Sequence, residues 1–587
     1  MKHKLLVLTA ALFSLTAAAQ SNSEIKCEWA KLIDGKTSAG DQSTEVCVGH
    51  DGSVYWLGTY GTTAGASDIT FGGEDLFTGA LSSGSSHSSN FTLIKTDNNG
   101  NKVWVVYSNS GDFTSGAGGM AVTSDGGVVT VSKVRHSTGM EDKDLTLVAA
   151  DGTPTNFGWT DADGSTRVYK MLVTKVSSTG EIEWNRLLDI STVPGAASTK
   201  EIWSDAFNLG TVTVDNDDNI YCVLNLKNTL SVPKSDATTA TVNVVNNKEW
   251  TGDTQTACGD FVVLGLDKDG YFRKTLSFEG TAKVGYGQHI TFADGRVYAQ
   301  GYLTGDGTTL KAGEATLAPS EIISPVIVCM DTDMNVLWAK CFAGEEVAGK
   351  KALQNTDISI VDGNLWFCGM FNLKITDLED ATKSIAATQG SLREGFIVKL
   401  DAATGRWIAS RGSRDDDWNA PVAMAKTGLT GYMKVLQNNE NPANIFVAGY
   451  VMNANVGIFL REYDATTLEA NLTTGQNNII TKGGAPSYVG GAYDSRNCAF
   501  YVAARGNNVF GIKDGDDTAK PEKWGVLAAK FTLPAEMRSA VDNIIVDNDD
   551  TDAPAEYYDL TGRRVLNPTT GLYIVRRGNT AQKLYLK

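Results

Sequence analysis

The sequence has no excess of basic residues. Its 587 residues include 51 Lys and Arg against 68 Asp and Glu, a formal charge of −17. Loss of an amino-terminal segment that carries Lys2 and Lys4 would leave 49 basic against 68 acidic residues, or −19. Binding of nucleic acid through bulk charge needs a basic surface that neutralises phosphates, so this class of function is excluded.

Histidine is scarce, and the short motifs of common enzymes are missing. Beyond residue 20 there are four histidines, at positions 50, 87, 136 and 289, in four different contexts. No His-x-His, His-Glu-x-x-His or Cys-x-x-Cys pair occurs, which argues against a dedicated zinc site. A Gly-x-Ser-x-Gly elbow and a phosphate-binding Gly-rich loop are also missing. The sequence therefore predicts no cofactor, no metal site and no catalytic residue.

Long apolar runs are missing except at the amino terminus. Residues 1–4 are basic, residues 5–15 are apolar but too short to span a bilayer, and Ala17 to Ala19 offer a small-x-small cleavage site. This order predicts a signal peptide over residues 1–19 that is cleaved near Ala19/Gln20, rather than a buried first helix. No later stretch of ~18 uncharged apolar residues exists. The sequence predicts an exported chain, secreted or attached to the outer surface, without a transmembrane segment.

Glycine is abundant, with 61 residues against 12 Pro, and the chain repeats itself. In one unit, an apolar run is followed by Asp or a substitute, often by Gly, and often by Trp seven residues after the Asp. The Asp column of its copies stands at positions 97, 177, 267, 331, 401, 464 and 532. Between these copies lies a second unit, two apolar strands around a turn that contains Asp, as in residues 46–55. Asp-Gly between apolar strands is a strong hairpin signal.

Each repeat predicts four antiparallel strands, here called A, B, C and D. Strands A and B flank the Asp-Gly turn, and strands C and D flank the Asp-x-x-Gly turn. The copies over residues 27–534 predict an all-β fold, a seven-bladed β-propeller of four-stranded antiparallel blades. Residues 27–33 form an extra D strand, which we expect to complete the last blade and close the ring. An open solenoid is the alternative, but it gives no reason for the displaced D strand.

The repeats resemble those of exported bacterial β-propeller proteins. The resemblance rests on stretches such as Phe396-Ile-Val-Lys-Leu-Asp401 and Val297-Tyr298-Ala-Gln-Gly301. These motifs are architectural and occur with many functions. Residues 401–407 also resemble the blade motif of quinoprotein dehydrogenases. Those enzymes repeat the motif around the ring, whereas it occurs once here, so we interpret it as a turn.

The composition changes after Pro534. Residues 535–554 predict an acidic linker, and residues 555–587 a short β-rich tail domain. The tail resembles the carboxy-terminal sorting domain of proteins exported by the type IX secretion system of Bacteroidetes. The resemblance rests on Tyr558, Asp559, Leu560, Gly562, Asn567, Pro568, Gly571, Tyr573 and Lys587. It implies that the type IX secretion machinery carries the chain across the outer membrane; an ordinary terminal hairpin is the alternative.

Four tryptophans lie outside the predicted strands and are the candidate ligand-binding residues: Trp159, Trp203, Trp250 and Trp418. All four fall in B–C or D–A connections, which share one face of the predicted propeller. Long loops on a rigid scaffold often carry binding sites, and an exposed indole stacks well against a sugar or a peptide side chain. The alternative is that each Trp anchors its own loop.

Acidic clusters and cysteines give weaker signals. Clusters occur at residues 215–218, 331–333 and 415–417. Alternating Asp can bind Ca²⁺, but these clusters coincide with the predicted hairpin turns, where Asp is common. The eight cysteines all lie in the exported portion, and we predict no particular disulfide.

Three functions fit these patterns. The first is a non-catalytic secreted or cell-surface propeller that binds an extracellular glycan, peptide or protein partner. The second is a propeller hydrolase or lyase that acts on polysaccharide through two acidic residues. The third is a structural surface-layer protein. Because no catalytic signature is present, the sequence favours the first and third functions over an enzyme.

Overall fold

A computed structural model of the chain shows an all-β protein. The residues that it describes are 26–35, 42–61, 69–76, 89–109, 112–135, 145–157, 170–190, 207–226, 229–242, 260–278, 284–304, 310–319, 324–345, 353–387, 394–413, 429–437, 443–453, 456–470, 481–483, 488–494, 496–497, 499–506, 510–512, 518–519, 525–532, 556–558, 564–565, 571–577 and 580–586. Within these residues no helix has the length and apolar character needed to cross a bilayer.

The strands follow in chain order. The first part holds β1 Lys26–Gly35, β2 Gln42–Val48, β3 Val54–Gly61, β4 Ile69–Phe71, β5 Glu74–Asp75, β6 Ser89–Thr96, β7 Lys102–Ser108, β8 Asp112–Val122, β9 Val128–Arg135, β10 Thr146–Val148, β11 Pro154–Asn156, β12 Lys170–Val176 and β13 Ile182–Ile190. The middle holds β14 Phe207–Val214, β15 Ile220–Leu226, β16 Leu230–Pro233, β17 Thr239–Val242, β18 Asp260–Leu266, β19 Phe272–Ser277, β20 Val284–Ala293, β21 Arg296–Thr304, β22 Leu310–Ala312, β23 Ala315–Leu317, β24 Ser324–Asp331, β25 Val336–Gly344, β26 Leu353–Val361, β27 Asn364–Phe371, β28 Lys374–Asp377, β29 Ser384–Ala386, β30 Glu394–Asp401 and β31 Trp407–Gly412. The last part holds β32 Leu429–Gln437, β33 Asn444–Asn453, β34 Val456–Asp464, β35 Thr481–Gly483, β36 Tyr488–Asp494, β37 Ala499–Gly506, β38 Phe510–Ile512, β39 Thr518–Ala519, β40 Gly525–Thr532, β41 Glu556–Tyr558, β42 Arg564–Val565, β43 Gly571–Arg577 and β44 Thr580–Leu586.

One antiparallel unit recurs through the larger compact part of the chain, Ile25–Thr532. In A–B–C–D order its copies are β2-β3-β6-β7, β8-β9-β12-β13, β14-β15-β18-β19, β20-β21-β24-β25, β26-β27-β30-β31 and β36-β37-β40-β1, with β32-β33-β34 as a further sheet. Neighbouring sheets pack face to face, as Leu57, Leu93 and Val106 do against Val134 and Leu172. Since both faces are covered, strands such as Val54–Gly61 are buried at every residue, which explains their continuous apolar runs.

The A strands lie side by side in a closed cycle. Strand β2 contacts β8, and the contacts continue through β14, β20, β26, β32 and β36, which returns to β2. Sheets arranged in this way around a central channel form a β-propeller. Strand β1, from the start of the chain, pairs antiparallel with β40, with Lys31 opposite Ala528 and Leu32 opposite Leu527. The predicted pairing of the early D strand with the last repeat is therefore present.

The Trp column of the repeat packs beneath the C–D turn of the next sheet. The Trp29 Nε1–H donates a hydrogen bond to the Asn98 carbonyl at 3.1 Å. Gly100 of the same turn has φ +76°, and a Cβ there would lie 2.8 Å from the Trp29 ring. The same hydrogen bond joins Trp104 to Ser178 at 3.0 Å and Trp338 to Ala402 at 3.1 Å. One contact thus explains both the Gly and the Trp of the repeat.

The B–C connections differ from the expectation that they are long and irregular. The connections over residues 61–90, 134–169, 227–259 and 371–394 each contain a short hairpin. The first strand of the hairpin pairs with the D strand of the preceding sheet: β4 with β1, β10 with β7, β16 with β13 and β28 with β25. The hairpins satisfy N–H and C=O groups that an open edge would expose. Four-stranded blades therefore describe only the repeated core of these sheets.

The tail forms a separate antiparallel sheet in the order β42-β41-β43-β44. The Tyr557 and Tyr573 rings meet edge to face at 6.2 Å, and the Glu556 carboxylate lies 2.9 Å from the Arg564 guanidinium. Of the residues that carry the sorting-domain resemblance, Tyr558, Gly571 and Tyr573 lie in these strands. The others lie outside the described residues: Asp559, Leu560, Gly562, Asn567, Pro568 and Lys587.

Candidate functional site in the central channel

β-Bulges interrupt six of the A strands, and in four of these strands the residue directly after the bulge is ionisable. The pairing with the B strand shifts directly before Glu45 in β2, His289 in β20, Asp357 in β26 and Lys434 in β32. A bulge inserts an extra residue and re-aims the side chains beside it. The sequence neighbours of these four residues are mostly apolar or hydroxylic, so each stands out as the ionisable residue of its strand segment.

The strand register places these four residues at one level of the channel. Their B-strand partners are Leu57, Gln300, Cys368 and Ala448. Those residues pair in turn with Leu93, Ile327, Ile397 and Leu460 of the C strands. Each of these C-strand residues stands four positions before the Asp of its own C–D turn, at 97, 331, 401 and 464. The four ionisable residues are therefore equivalent positions of the repeat.

Together they line a cavity of about 500 Å³. Every A strand contributes to its wall, including Cys47, Met120, Val212, Gln288, Ile290, Thr356, Leu436 and Gly490 beside the four ionisable residues. Ligand pockets in proteins commonly measure about 300–1,000 Å³ and combine apolar walls with a few placed polar groups. The channel cavity has this size and this composition.

Asp357 is the centre of the charged group. Its Oδ1 lies 3.1 Å from His289 Nδ1, and its Oδ2 lies 3.7 Å from Lys434 Nζ. The Ile358 N–H donates a further hydrogen bond to Oδ1 at 2.8 Å. The Asp357 side chain is 11% exposed, so its negative charge acts strongly on its neighbours. It is the main cause that raises the pKa of Lys434 well above the ordinary value.

His289 and Glu45 respond mainly to burial. Burial lowers the pKa of His289, although the Asp357 carboxylate opposes this effect, so the imidazole is neutral at pH 7. Burial raises the pKa of Glu45 from 4.5 to about 7, against the opposing effect of Lys434. Near neutral pH the Glu45 carboxyl therefore exists in both protonation states. Within the described part of the chain it forms no hydrogen bond or ion pair.

Hydrogen bonds between polar side chains and the backbone connect neighbouring A strands in the cavity wall. The Thr356 hydroxyl donates a hydrogen bond to Gln288 Oε1 at 2.8 Å and is itself hydrogen-bonded to the buried Tyr302 hydroxyl. On the other side of β20, Thr211 Oγ1 accepts the Ile290 N–H at 2.8 Å and joins the neighbouring strands β14 and β20. These bonds fix the side chains around the cavity, which favours a preformed site.

The wall has two unlike arcs. Glu45, His289, Asp357 and Lys434 come from β2, β20, β26 and β32, which follow one another around the ring with β36 between β32 and β2. Strands β8 and β14 complete the ring and contribute Met120, Ala121, Val122, Val212 and the hydroxyls of Thr211 and Thr213. We call the first set the charged arc and the second the apolar arc.

Sequence reasoning placed the ligand site elsewhere. Trp159, Trp203, Trp250 and Trp418 all lie outside the described residues, so that site stays a prediction. The charged arc was missed, although the sequence carries a signal for three of its members. Glu45 stands six residues before Asp51 of the A–B turn, while His289 and Asp357 each stand five residues before Asp294 and Asp362.

The acidic turns and the cysteines have structural surroundings. Asp215 Oδ1 accepts the N–H groups of Asp217 and Asn219, and Asp331 Oδ1 accepts the Asn335 N–H, so these carboxylates stabilise their hairpin turns. Residues 415–417 lie outside the described residues. Among the described residues, no group of three His, Cys, Asp or Glu is suited to hold a metal ion. Cys47, Cys222, Cys329, Cys341 and Cys368 are free thiols, and Cys258 and Cys498 lie outside the described residues.

Comparisons with known proteins give no family. No protein-family model matches the chain, and no curated protein matches it. Among solved structures, a protein of unknown function from Dyadobacter fermentans aligns over 87% of this chain and 99% of its own, with 9% identity and a TM-score of 0.34. Quinohemoprotein alcohol dehydrogenase from Comamonas testosteroni aligns over 90% and 80%, with 11% identity and a TM-score of 0.37. BamB from Moraxella catarrhalis aligns over 75% and 88%, with 10% identity and a TM-score of 0.28. Likenesses this distant carry no argument about function.

Proposed function

We propose that the chain is an exported seven-bladed β-propeller that binds an extracellular glycan, peptide or protein ligand at its central cavity without transforming it. The observation that carries this proposal is the convergence of four ionisable side chains on one level of the cavity. Burying ionisable groups costs free energy. The contacts of Asp357 with His289 and Lys434 offset only part of this cost. Stability alone gives no reason for Glu45 at the same level, where within the described residues it has no hydrogen bond or ion pair of its own.

The same proposal includes the domains and the cellular route. Residues 1–19 are the signal peptide, residues 27–534 the propeller, residues 535–554 the acidic linker and residues 555–587 the sorting domain. The partner of the tail is the type IX secretion machinery, and the mature chain is secreted or attached to the outer surface. Support comes from the order of basic, apolar and small residues at the amino terminus and from the tail motif.

A blocked cavity tests the binding site. The mature chain is screened against immobilised oligosaccharides and peptides, and the strongest hit is used as the probe. Thr213 is half-buried in the cavity wall, so Thr213→Trp should fill the cavity and weaken binding at least about tenfold with little change in melting temperature. Thr179, an exposed residue of a C–D turn, provides the matched control Thr179→Trp, which should bind as the wild type does.

Unchanged binding by the Thr213→Trp variant would contradict the cavity site. In that case the loop tryptophans become the alternative, and each of Trp159, Trp203, Trp250 and Trp418 is replaced by Ala. A replacement that weakens binding without lowering the melting temperature identifies a ligand contact. A replacement that lowers only the melting temperature identifies a loop anchor.

A polysaccharide hydrolase or lyase is the second candidate function. It is favoured by one observation: Glu45, whose pKa burial raises to about 7, shares the cavity with Asp357, which is ion-paired to Lys434. Two carboxyl groups in unlike surroundings can divide the acid and base roles of glycosidic cleavage. Release of new reducing ends from the polysaccharide that binds would support this function over simple binding.

A further inference from the structure

The charged arc and the apolar arc together restrict the chemistry of a ligand. Resting on the proposed binding function, we infer that the central cavity takes a neutral polyhydroxylated unit, a sugar residue without a carboxylate, sulfate or amine. The hydroxyl groups of this sugar face the charged arc, and its C–H face lies against the apolar arc.

The first argument is the charge balance of the wall. Asp357 and Lys434 carry opposite charges 3.7 Å apart and largely cancel for a ligand a few ångströms away. His289 is neutral because burial lowers its pKa. With the charges of Asp357 and Lys434 cancelled and Glu45 partly protonated near neutral pH, the wall offers little net charge to compensate a charge on the ligand. A charged ligand would therefore lose its hydration without an equivalent return, whereas a neutral ligand avoids this cost.

The second argument is that the Glu45 carboxyl can still form hydrogen bonds with a ligand. The Glu45 carboxyl has no hydrogen-bond partner within the described residues. The half-buried Glu45 side chain lines the cavity, so a ligand or a water molecule in the cavity is in place to supply one. A hydroxyl group can donate to the carboxylate form of Glu45 and accept from its protonated form. A sugar hydroxyl therefore suits both forms that coexist near neutral pH.

The third argument is the apolar arc. Met120, Val122 and Val212 form a surface without charge, and the Thr213 hydroxyl stands beside it. A pyranose ring has a C–H face that packs on such a surface and a rim of hydroxyls that reaches polar groups. A fully charged or strongly polar ligand would leave this arc unused, and a purely apolar ligand would leave the charged arc without hydrogen bonds.

Matched sugars test the inference on the mature chain. The probes are glucose, glucuronate and glucosamine, and galactose, galacturonate and galactosamine, each as the methyl glycoside, with binding measured by saturation-transfer NMR and titration. We expect the neutral member of at least one set to bind about tenfold more tightly than its acidic and amino relatives. Tightest binding of an acidic or amino sugar, or no binding of any of the six, would overturn the inference.

Substitutions at Glu45 show whether the charged arc determines the preference. Glu45→Gln removes the negative charge, so the ratio of neutral to acidic binding should fall at least about threefold, and Glu45→Leu should weaken neutral binding about tenfold. Glu74, an exposed residue outside the cavity, gives the control Glu74→Gln, and melting temperatures exclude unfolding. Neutral binding by Glu45→Leu at the wild-type level would also overturn the inference.

The outcome separates this inference from the proposed function. If Thr213→Trp abolishes binding but the acidic sugar is preferred, the cavity site stands and only the ligand class is wrong. If the chain binds peptides in the cavity and none of the sugars, the ligand class is again wrong. If Thr213→Trp changes nothing for any probe, the proposed site itself is wrong.

Discussion

At the scale of single residues, a contact between Trp and a turn glycine recurs at four junctions between neighbouring sheets. Gly180 has φ +88°, and a Cβ there would lie 2.5 Å from the Ala150 Cβ and 3.0 Å from the Trp104 ring. Gly152, in the hairpin turn between β10 and β11, has the same φ of +88° with nothing within 4 Å. The two glycines therefore differ only in the space around them.

This pair yields a prediction for stability. Both Gly180→Ala and Gly152→Ala place a side chain in the left-handed region, at a cost of about 1–2 kcal/mol. Gly180→Ala also forces the new methyl group against Ala150 and Trp104, which adds about 1–3 kcal/mol. The midpoint of guanidinium unfolding should therefore fall clearly further for Gly180→Ala. Equal shifts of the two variants would show that the Trp contact adds nothing.

The Trp contact could be predicted as a pattern from the sequence, whereas for the charged arc the sequence carries only the spacing of three members from the A–B turns and no sign that the four meet. Gly180 and Trp104 repeat with a fixed spacing, so their importance is visible before their contact is known. Glu45, His289, Asp357 and Lys434 are up to 389 residues apart in the chain. They meet only because the sheets close into a ring and because a bulge shifts each strand by a residue, and no local periodicity encodes a bulge.

At the scale of strands, the length of a strand decides whether it can be predicted from the sequence. The A to D strands have six to eleven residues, many with continuous apolar runs, and most of them were predicted. The edge hairpins have strands of two to four residues, such as Ile69–Phe71, and they begin in segments rich in Gly, Ser and Thr. Such strands are too short to show the alternation of apolar and polar residues that identifies a strand, so the sequence predicts loops for these connections.

The pairing of β1 with β40 gives a prediction at this scale. Removal of residues 20–35 takes away the D strand of the last sheet and leaves the N–H and C=O groups of β40 exposed. It also removes the partner of the β4–β5 hairpin. Limited proteolysis should then cut first within residues 488–532. Removal of residues 20–25 alone, which stops before β1, is the control and should leave the protease pattern as it is. Equal resistance of both variants would contradict closure through β1.

At the scale of the whole molecule, the ring closes where the first and last sheets meet. The cluster of Ile33, Trp56, Tyr501 and Val526 joins the first and last sheets, and the Arg496 guanidinium donates hydrogen bonds to the carbonyls of Gly49 and His50 across the same junction. Cys47, Cys222, Cys329, Cys341 and Cys368 are free thiols. The junction between the first and last sheets is therefore stabilised by burial and hydrogen bonds.

The cellular route is the last prediction, and it concerns the whole chain. In the proposed route, residues 1–19 act as a signal peptide for the inner membrane and residues 555–587 act as the sorting signal for the outer membrane. We expect cells to deliver protein that begins at or near Gln20 to the surface or the medium. A chain that lacks residues 555–587 should lose its amino-terminal segment in the same way but remain behind the outer membrane, whereas removal of the linker residues 540–550 should leave delivery intact. Cell fractionation and amino-terminal sequencing measure both steps. Surface protein that still begins at Met1 would contradict the signal peptide, and equal surface delivery without the tail would contradict the sorting domain.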